Sequence, residues 1–382
     1  MALKRLKNYS YENQISPAVR DLIYLSACAV NETAPDPERV GHMNPDALHQ
    51  AAVTHQMVGL TAIMLKHAGI KDAKYENYLN RALLLDRIAD AEHGKILAAL
   101  AQAKIWHMPL KGVVIKEYYP EAGMRQMADI DILFDASRAE DVRLIMHSLN
   151  YNVIKYNQEH RDDYQKSAAC HFELHRMLFS PDSGEKLYRY YQCVQDKLLG
   201  EGYEKHLSEE DFYIYVIAHE FKHFYWMGTG LRSLLDTYVI LKEFDNKLDW
   251  EYVHSEIKRI GLDQLVDFEE KNRTLAVKVF SRGKLAGLSA EEWDMLSFFV
   301  DSGMYGTREH EIQYAIKRSG RLGYVLGKLF PPLDGIKKNY PFFYQHKILI
   351  PGLFFYRLWK KRDAAMEEFN VLIGRKIKKD EK

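Results

Sequence analysis

The sequence predicts an α+β protein that is mostly helical, with a small mixed sheet held between N-terminal and C-terminal helical segments. Three observations carry this. Apolar residues recur at helical spacing up to about residue 95. Short alternating segments follow, above all "ADIDILF" and "HFELHRMLF". Helical periodicity returns from about Gly184. The chain divides on this basis into segments 1–95, 96–182 and 183–382.

In the first segment, "NPDALHQAAVTHQMVGLTAIMLKHAG" reads as one helix. Asn44 is its N-cap, Pro45 its first helical residue and Gly69 its end. A second helix is expected from about Tyr75 to Ala103, with Leu84, Ile88, Ile96 and Leu100 on one stripe. In the middle segment, "KIWHMPLKG" reads as a strand closed by Gly112, and "VVIKEYYPEAG" as a short helix. Ala128–Phe134 alternates and reads as a strand. Ser137 N-caps a helix to about Leu149, "YNVIKY" is a further strand, and His171–Phe179 is the last. In the third segment, Ser208 and Asp211 are spaced as a capping box that opens a long helix. More helices run to about Arg318, followed by a Pro-rich crossing, "LFPPLDGIKKNYPFF", and a basic helical tail.

Composition narrows the function classes. Lys+Arg and Asp+Glu both number 53, so no overall basic excess marks the chain as a binder of long nucleic acid. The longest strongly apolar run, Ile348–Tyr356, is far short of the roughly 20 residues that a membrane span needs, and Pro351 interrupts it. Cys28, Cys170 and Cys193 form no CxxC pair and no apolar leader stands at the N-terminus, so a cytoplasmic protein with reduced thiols is expected.

The sharpest chemical signal is "DIDIL". On a strand, Asp129 and Asp131 share one face while Ile130 and Ile132 take the other. Paired carboxylates repel each other unless a cation lies between them, and they suit Mg²⁺ or Mn²⁺ together with substrate phosphates. Glu173 on a later strand is a third acid, and three such acids suit two-metal phosphoryl transfer. A solvated strand edge would also carry D-x-D. Upstream, Lys111 offers a point charge, Gly112 lets a phosphate approach the backbone, and the Arg125 fork matches phosphate oxygens.

"LKGVVIKEYYPEAGMRQMADIDILF" followed by "HFELH" resembles the nucleotidyltransferase fold of the polymerase-β-like superfamily. More narrowly, it is similar to a group of uncharacterised bacterial nucleotidyltransferases with L-K-G, R-x₃-D-I-D and E-L-H patterns. Further segments, including "AHEFKHFYWMGTGLRSLLDTYVIL" and "GMYGT", extend the likeness over most of the chain. The resemblance implies transfer of a nucleoside monophosphate group from an NTP. Asp129, Asp131 and Glu173 would be the metal-binding catalytic acids, and Lys111, Gly112 and Arg125 would be the nucleotide contacts. The chain departs from the superfamily in having Lys111-Gly112 where Gly-Ser is usual. The acceptor is open: a sugar or other small molecule, a peptide, a protein or an RNA end, with long nucleic acid the least expected.

Two rival readings belong to other classes. One is a non-catalytic nucleotide-binding module of the same fold. The other is a zinc hydrolase, because His219, Glu220 and His223 spell H-E-x-x-H, with Glu243 at the spacing of a possible third ligand. The helix around that motif is crowded with aromatics, which favours a structural His219/His223 pair and a solvated Glu220. His171, His175, His219, His223 and Asp236 are expected to face or back the cleft.

Overall fold

The computed structural model describes residues 15–303 apart from 159, 168, 227, 245 and 246, together with 316, 320, 323, 336, 340–350, 352, 353 and 356. The Pro-rich crossing and basic tail expected from the sequence lie largely outside the described residues. Two compact units divide the chain: Met1–Lys222 with Gly230–Met304, and His223–Thr229 with Tyr305–Lys382. The first unit contains the sheet and most of the helices.

Among the described residues, five helices precede the sheet: α1 (Pro17–Val30), α2 (Pro37–Gly41), α3 (Pro45–Thr54), α4 (Val58–His67) and α5 (Ala73–Gln102). Asn44 caps α3 as expected, its side chain accepting from the Ala47 amide. The single helix expected from Asn44 to Gly69 is two helices. The chain breaks at His55–Met57, where Gln56 takes a left-handed φ of 55°. Helical periodicity continues across the break, so the sequence pattern does not reveal it. Its cause is tertiary: the His55 ring accepts the Leu231 amide, and Gln56 accepts from Arg232.

The sheet has the order β1-β2-β5-β4-β3. Its strands are β1 (His107–Pro109), β2 (Ile130–Phe134), β3 (Asn152–Lys155), β4 (Arg161–Ser167) and β5 (Cys170–His175), with the short α6 (Gly112–Ile115) after β1 and α7 (Ala139–Ser148) after β2. Only the β2–β5 pairing is parallel, so the sheet is mixed. One face is apolar. Ile130, Ile132, Phe134, Tyr164, Phe172 and Leu174 pack with Ala89, Ile96 and Leu100 of α5 and Val142 and Met146 of α7. Alternation then forces Asp131, Glu173 and His175 onto the opposite face.

The strand β4, "RDDYQKS", was not expected. Its apolar signal is one residue, Tyr164, while Arg161 and Asp163 point to the charged face. Its other inward residue, Asp162, is fully buried and satisfied by a bidentate Arg176 (2.8 and 3.0 Å). Polar partners replace hydrophobic burial here, so the period-2 pattern is hidden.

After the sheet come α8 (Glu185–Tyr191), α9 (Glu209–Trp226), α10 (Leu231–Phe244), α11 (Trp250–Ile260), α12 (Asp263–Phe280) and α13 (Ala290–Ser302). Ser208 accepts from the Asp211 amide at the start of α9, but the Asp211 carboxylate is held by Lys197 and Tyr252. Only half of the expected capping box forms. A true box opens α13, between Ser289 and Glu292. The architecture is α+β and mostly helical, as the sequence indicated. Among the described residues, no helix is long and apolar enough to cross a membrane.

Candidate active site

Parallel pairing of β2 with β5 sets Asp131 directly opposite Glu173, and antiparallel pairing of β5 with β4 sets Glu173 opposite Asp163. Three carboxylates therefore stand in a row across adjacent strands. Asp129 lies just before β2 and is half-buried, and Asp131 and Glu173 are each 5% exposed. The burial of these acids makes their charge the dominant feature of the site.

Fixed cations partly compensate them. Lys111 Nζ donates to Asp131 Oδ1 at 2.9 Å, and Arg161 Nη1 lies 2.8 Å from Glu173 Oε2 while its Nε donates to Asp163 at 3.0 Å. His175 is 2% exposed, and its Nε2 is 2.6 Å from Asp131 Oδ1. Burial, aided by repulsion from Lys111, lowers the His175 pKa, so a neutral imidazole donates to the carboxylate.

The acids respond differently. Burial would raise Asp131, but Lys111 and His175 outweigh it and hold the carboxyl well below the usual range. Asp129 is raised by burial and by the Asp131 charge. Glu173 is pushed up to about 8 by burial and by Asp131 and Asp129, and Arg161 and Lys111 only partly counter this. Carboxylates that raise one another's pKa form a site that a cation would relieve.

The donor set fits a hard divalent cation. Ligand atoms of Asp131, Glu173 and His175 lie within 4.8 Å of one another, as do those of Asp163, His171 and Glu173. Carboxylate oxygens dominate both groups. His175 Nδ1 is buried without a hydrogen-bond partner among the described residues.

The turn after β1 carries Lys111 and Gly112. Lys111 has φ +46° and ψ −116°, strained for an L residue, and that conformation aims its ammonium at Asp131. Gly112 is closely approached by two side-chain ends. A Cβ there would lie 2.6 Å from Arg125 Nη1 and 2.8 Å from Met127 Cε.

Arg125 is committed to the protein itself. Its Nε and Nη2 donate to Asp236 Oδ1 and Oδ2 at 2.9 and 2.8 Å, and the Tyr119 hydroxyl donates to Asp236 at 2.7 Å. Nearby, Arg232 donates to the Gln126 carbonyl (2.7 Å), and the Gln126 side chain accepts from the Val58 amide (2.9 Å). Residues 125 and 126, just ahead of Asp129, are thereby tied to α4 and α10. Asp236 thus holds Arg125 in place from α10.

Beside Asp129 is a cavity of about 120 Å³. Leu85, Asp86 and Ala89 of α5, Arg125, Asp129 and His171 contribute to its walls.

Helix α9 brings two residues that sequence reasoning missed, Tyr215 and Lys222, onto one face with the expected His219, at i, i+7 and i+4. The Tyr215 hydroxyl is buried without a hydrogen-bond partner among the described residues, and the charges of Lys111, Asp131 and Glu173 reach it. The His219 ring lies 6.2 Å from that of Tyr215. His223 belongs to the second unit. Arg161 and Asp163 were missed along with β4.

The expectation of a solvated Glu220 is wrong. Glu220 is 3% exposed and accepts from Thr237 (2.8 Å) and Asn272 (3.0 Å) of α10 and α12. The general base of a zinc hydrolase must reach a water on the metal. Glu220 is instead buried among helices. Glu243, its possible companion, is exposed and paired with Lys247.

In this α+β protein, three carboxylates across adjacent strands with cations beside them form a donor set that fits phosphates and divalent metals. A family model described as an uncharacterised nucleotidyltransferase matches residues 41–268, more than half of the chain, and the chain belongs to that family. The match spans the helices that grip Gln126, the whole sheet and the helices α9 to α11. Comparison with curated proteins and with solved structures gave no significant match.

Proposed function

We propose that the protein transfers a nucleoside monophosphate group from an NTP to an acceptor hydroxyl or phosphate. The observation that carries this reading is the register pairing of Asp131 with Glu173 across parallel strands, with Asp129 two residues before Asp131. Asp129, Asp131 and Glu173 would hold Mg²⁺ or Mn²⁺. The metal would lower the pKa of an acceptor hydroxyl and neutralise the leaving pyrophosphate. Lys111 Nζ and the Gly112 amide would hold phosphate oxygens. Arg125, through Asp236, keeps the approach to Asp129 in place. Glu173, at about 8, lies in the range where a carboxyl exchanges a proton at neutral pH. Catalysis of this kind is mostly positioning and charge neutralisation. The acceptor is a small molecule, peptide or protein rather than a long nucleic acid, since the chain has no net basic charge.

A thermal-shift screen of the four NTPs with Mg²⁺ identifies the donor, and transfer of an α-labelled phosphate then measures activity. Asp131→Asn is expected to reduce transfer about a thousandfold or more and to weaken Mg²⁺ binding, with circular dichroism unchanged. Full activity in that variant would overturn the assignment.

A further inference from the structure

We propose that Lys222, on the α9 face shared with Tyr215 and His219, grips the phosphate chain of the nucleoside triphosphate. This rests on the nucleotidyltransferase reading and adds a contact to it.

Three cations act electrostatically on the carboxylate row, and they are not equivalent. Lys111 and Arg161 each sit within 2.9 Å of a carboxylate oxygen. Lys222 is half-buried, and among the described residues it has no hydrogen bond and no ion pair. Its ammonium lies 5.9 Å from the centre of the Phe179 ring, an apolar neighbour that cannot replace water as an acceptor. Burial and the like charges of Lys111 and Arg161 lower its pKa to about 8, and Asp131 and Glu173 offset this only partly. A desolvated ammonium without an acceptor is costly, so such groups are rare unless a ligand completes them. The missing partner is an anion, because no carboxylate among the described residues pairs with it. It must also carry enough charge to attract Lys222 despite two neighbouring cations. A phosphate chain meets both conditions, and lysine binds phosphate as a point charge.

α9 places Lys222 there for a structural reason. Its opposite side is anchored by Glu220 to α10 and α12 and by the buried Tyr213 hydroxyl on Glu269 (2.8 Å). The helix therefore cannot rotate to release the lysine to solvent.

The test uses the full chain and two probes, tripolyphosphate and each Mg·NTP, with binding measured by calorimetry. Lys222→Met is expected to bind both about ten- to a hundredfold more weakly, while Lys222→Arg stays within about threefold of wild type. Ligand-free K222M should melt at or above the wild-type temperature, because it sheds a desolvated charge, and this separates ligand contact from a packing role. If K222M binds both probes as wild type does, or K222R is as weak as K222M, Lys222 is not a phosphate contact and the nucleotidyltransferase reading stands. If wild type binds neither tripolyphosphate nor any Mg·NTP, both fall.

Discussion

Glu220→Gln separates the two meanings of the H-E-x-x-H stretch. In the folded protein burial raises Glu220 to about 8 from 4.5, and the hydrogen bonds from Thr237, Ser233 and Asn272 only partly counter it. The unfolded chain ionises Glu220 near its ordinary value. Below pH 4.5 the group is protonated in both states and costs nothing. Between pH 4.5 and about 8 the unfolded state loses the proton while the native state keeps it, so stability falls as pH rises. The slope is about 1.4 kcal/mol per pH unit, and the whole window amounts to a few kcal/mol, on the order of 5 at most. Glutamine keeps the shape and the acceptor oxygen but cannot ionise. Wild type and variant should therefore melt at similar temperatures at pH 5. At pH 9 the variant should melt higher, at about 2 °C or more per kcal/mol. Scanning calorimetry from pH 5 to 9 measures the difference, and comparison with wild type cancels the other titrating groups. A difference that stays constant across this range would refute the buried, protonated Glu220. A solvated general base would give that flat result.

Three more predictions concern the carboxylate row and its supports. Glu173 is largely protonated at pH 7, so Mg²⁺ binding should release up to one proton and strengthen as pH rises to about 8, then level off. Calorimetry in buffers of different ionisation enthalpy reads the released proton, and none at pH 7 would contradict the raised Glu173. Asp236→Asn leaves Arg125 buried without its counter-charge and should cost about 3–5 kcal/mol by denaturant unfolding. A loss below about 1 kcal/mol would mean the clamp is not needed. Gly112→Ala places a methyl against Arg125 and Met127 and should destabilise by about 1–3 kcal/mol while weakening Mg·NTP binding. Unchanged stability and affinity would show that the turn has room.

Much of the site could be read from local pattern because its key signal is local. Asp129 and Asp131 stand two residues apart in one alternating segment, and the "FEL" strand announces itself through Phe172 and Leu174, which pack in the core. The Asn44 cap was legible for the same reason: a cap is settled within four residues. Arg161 and Asp163 were not legible, since a strand with polar residues on both faces resembles a loop. Lys222 stood inside a motif that drew attention to its histidines, and helical spacing alone does not say which face meets the sheet.

The sequence by itself determined the class of fold and the family, and it singled out Asp129, Asp131 and Glu173 as candidates, because these depend on periodicity and on contiguous residues. Only the tertiary structure decided the partners. It paired Asp131 with Glu173, gave Arg125 to Asp236, broke the Asn44–Gly69 helix to grip the segment before Asp129, and buried Glu220 among the helices. Each of these joins residues far apart in the chain. Burial and charge compensation are properties of the packed neighbourhood, which no local pattern encodes.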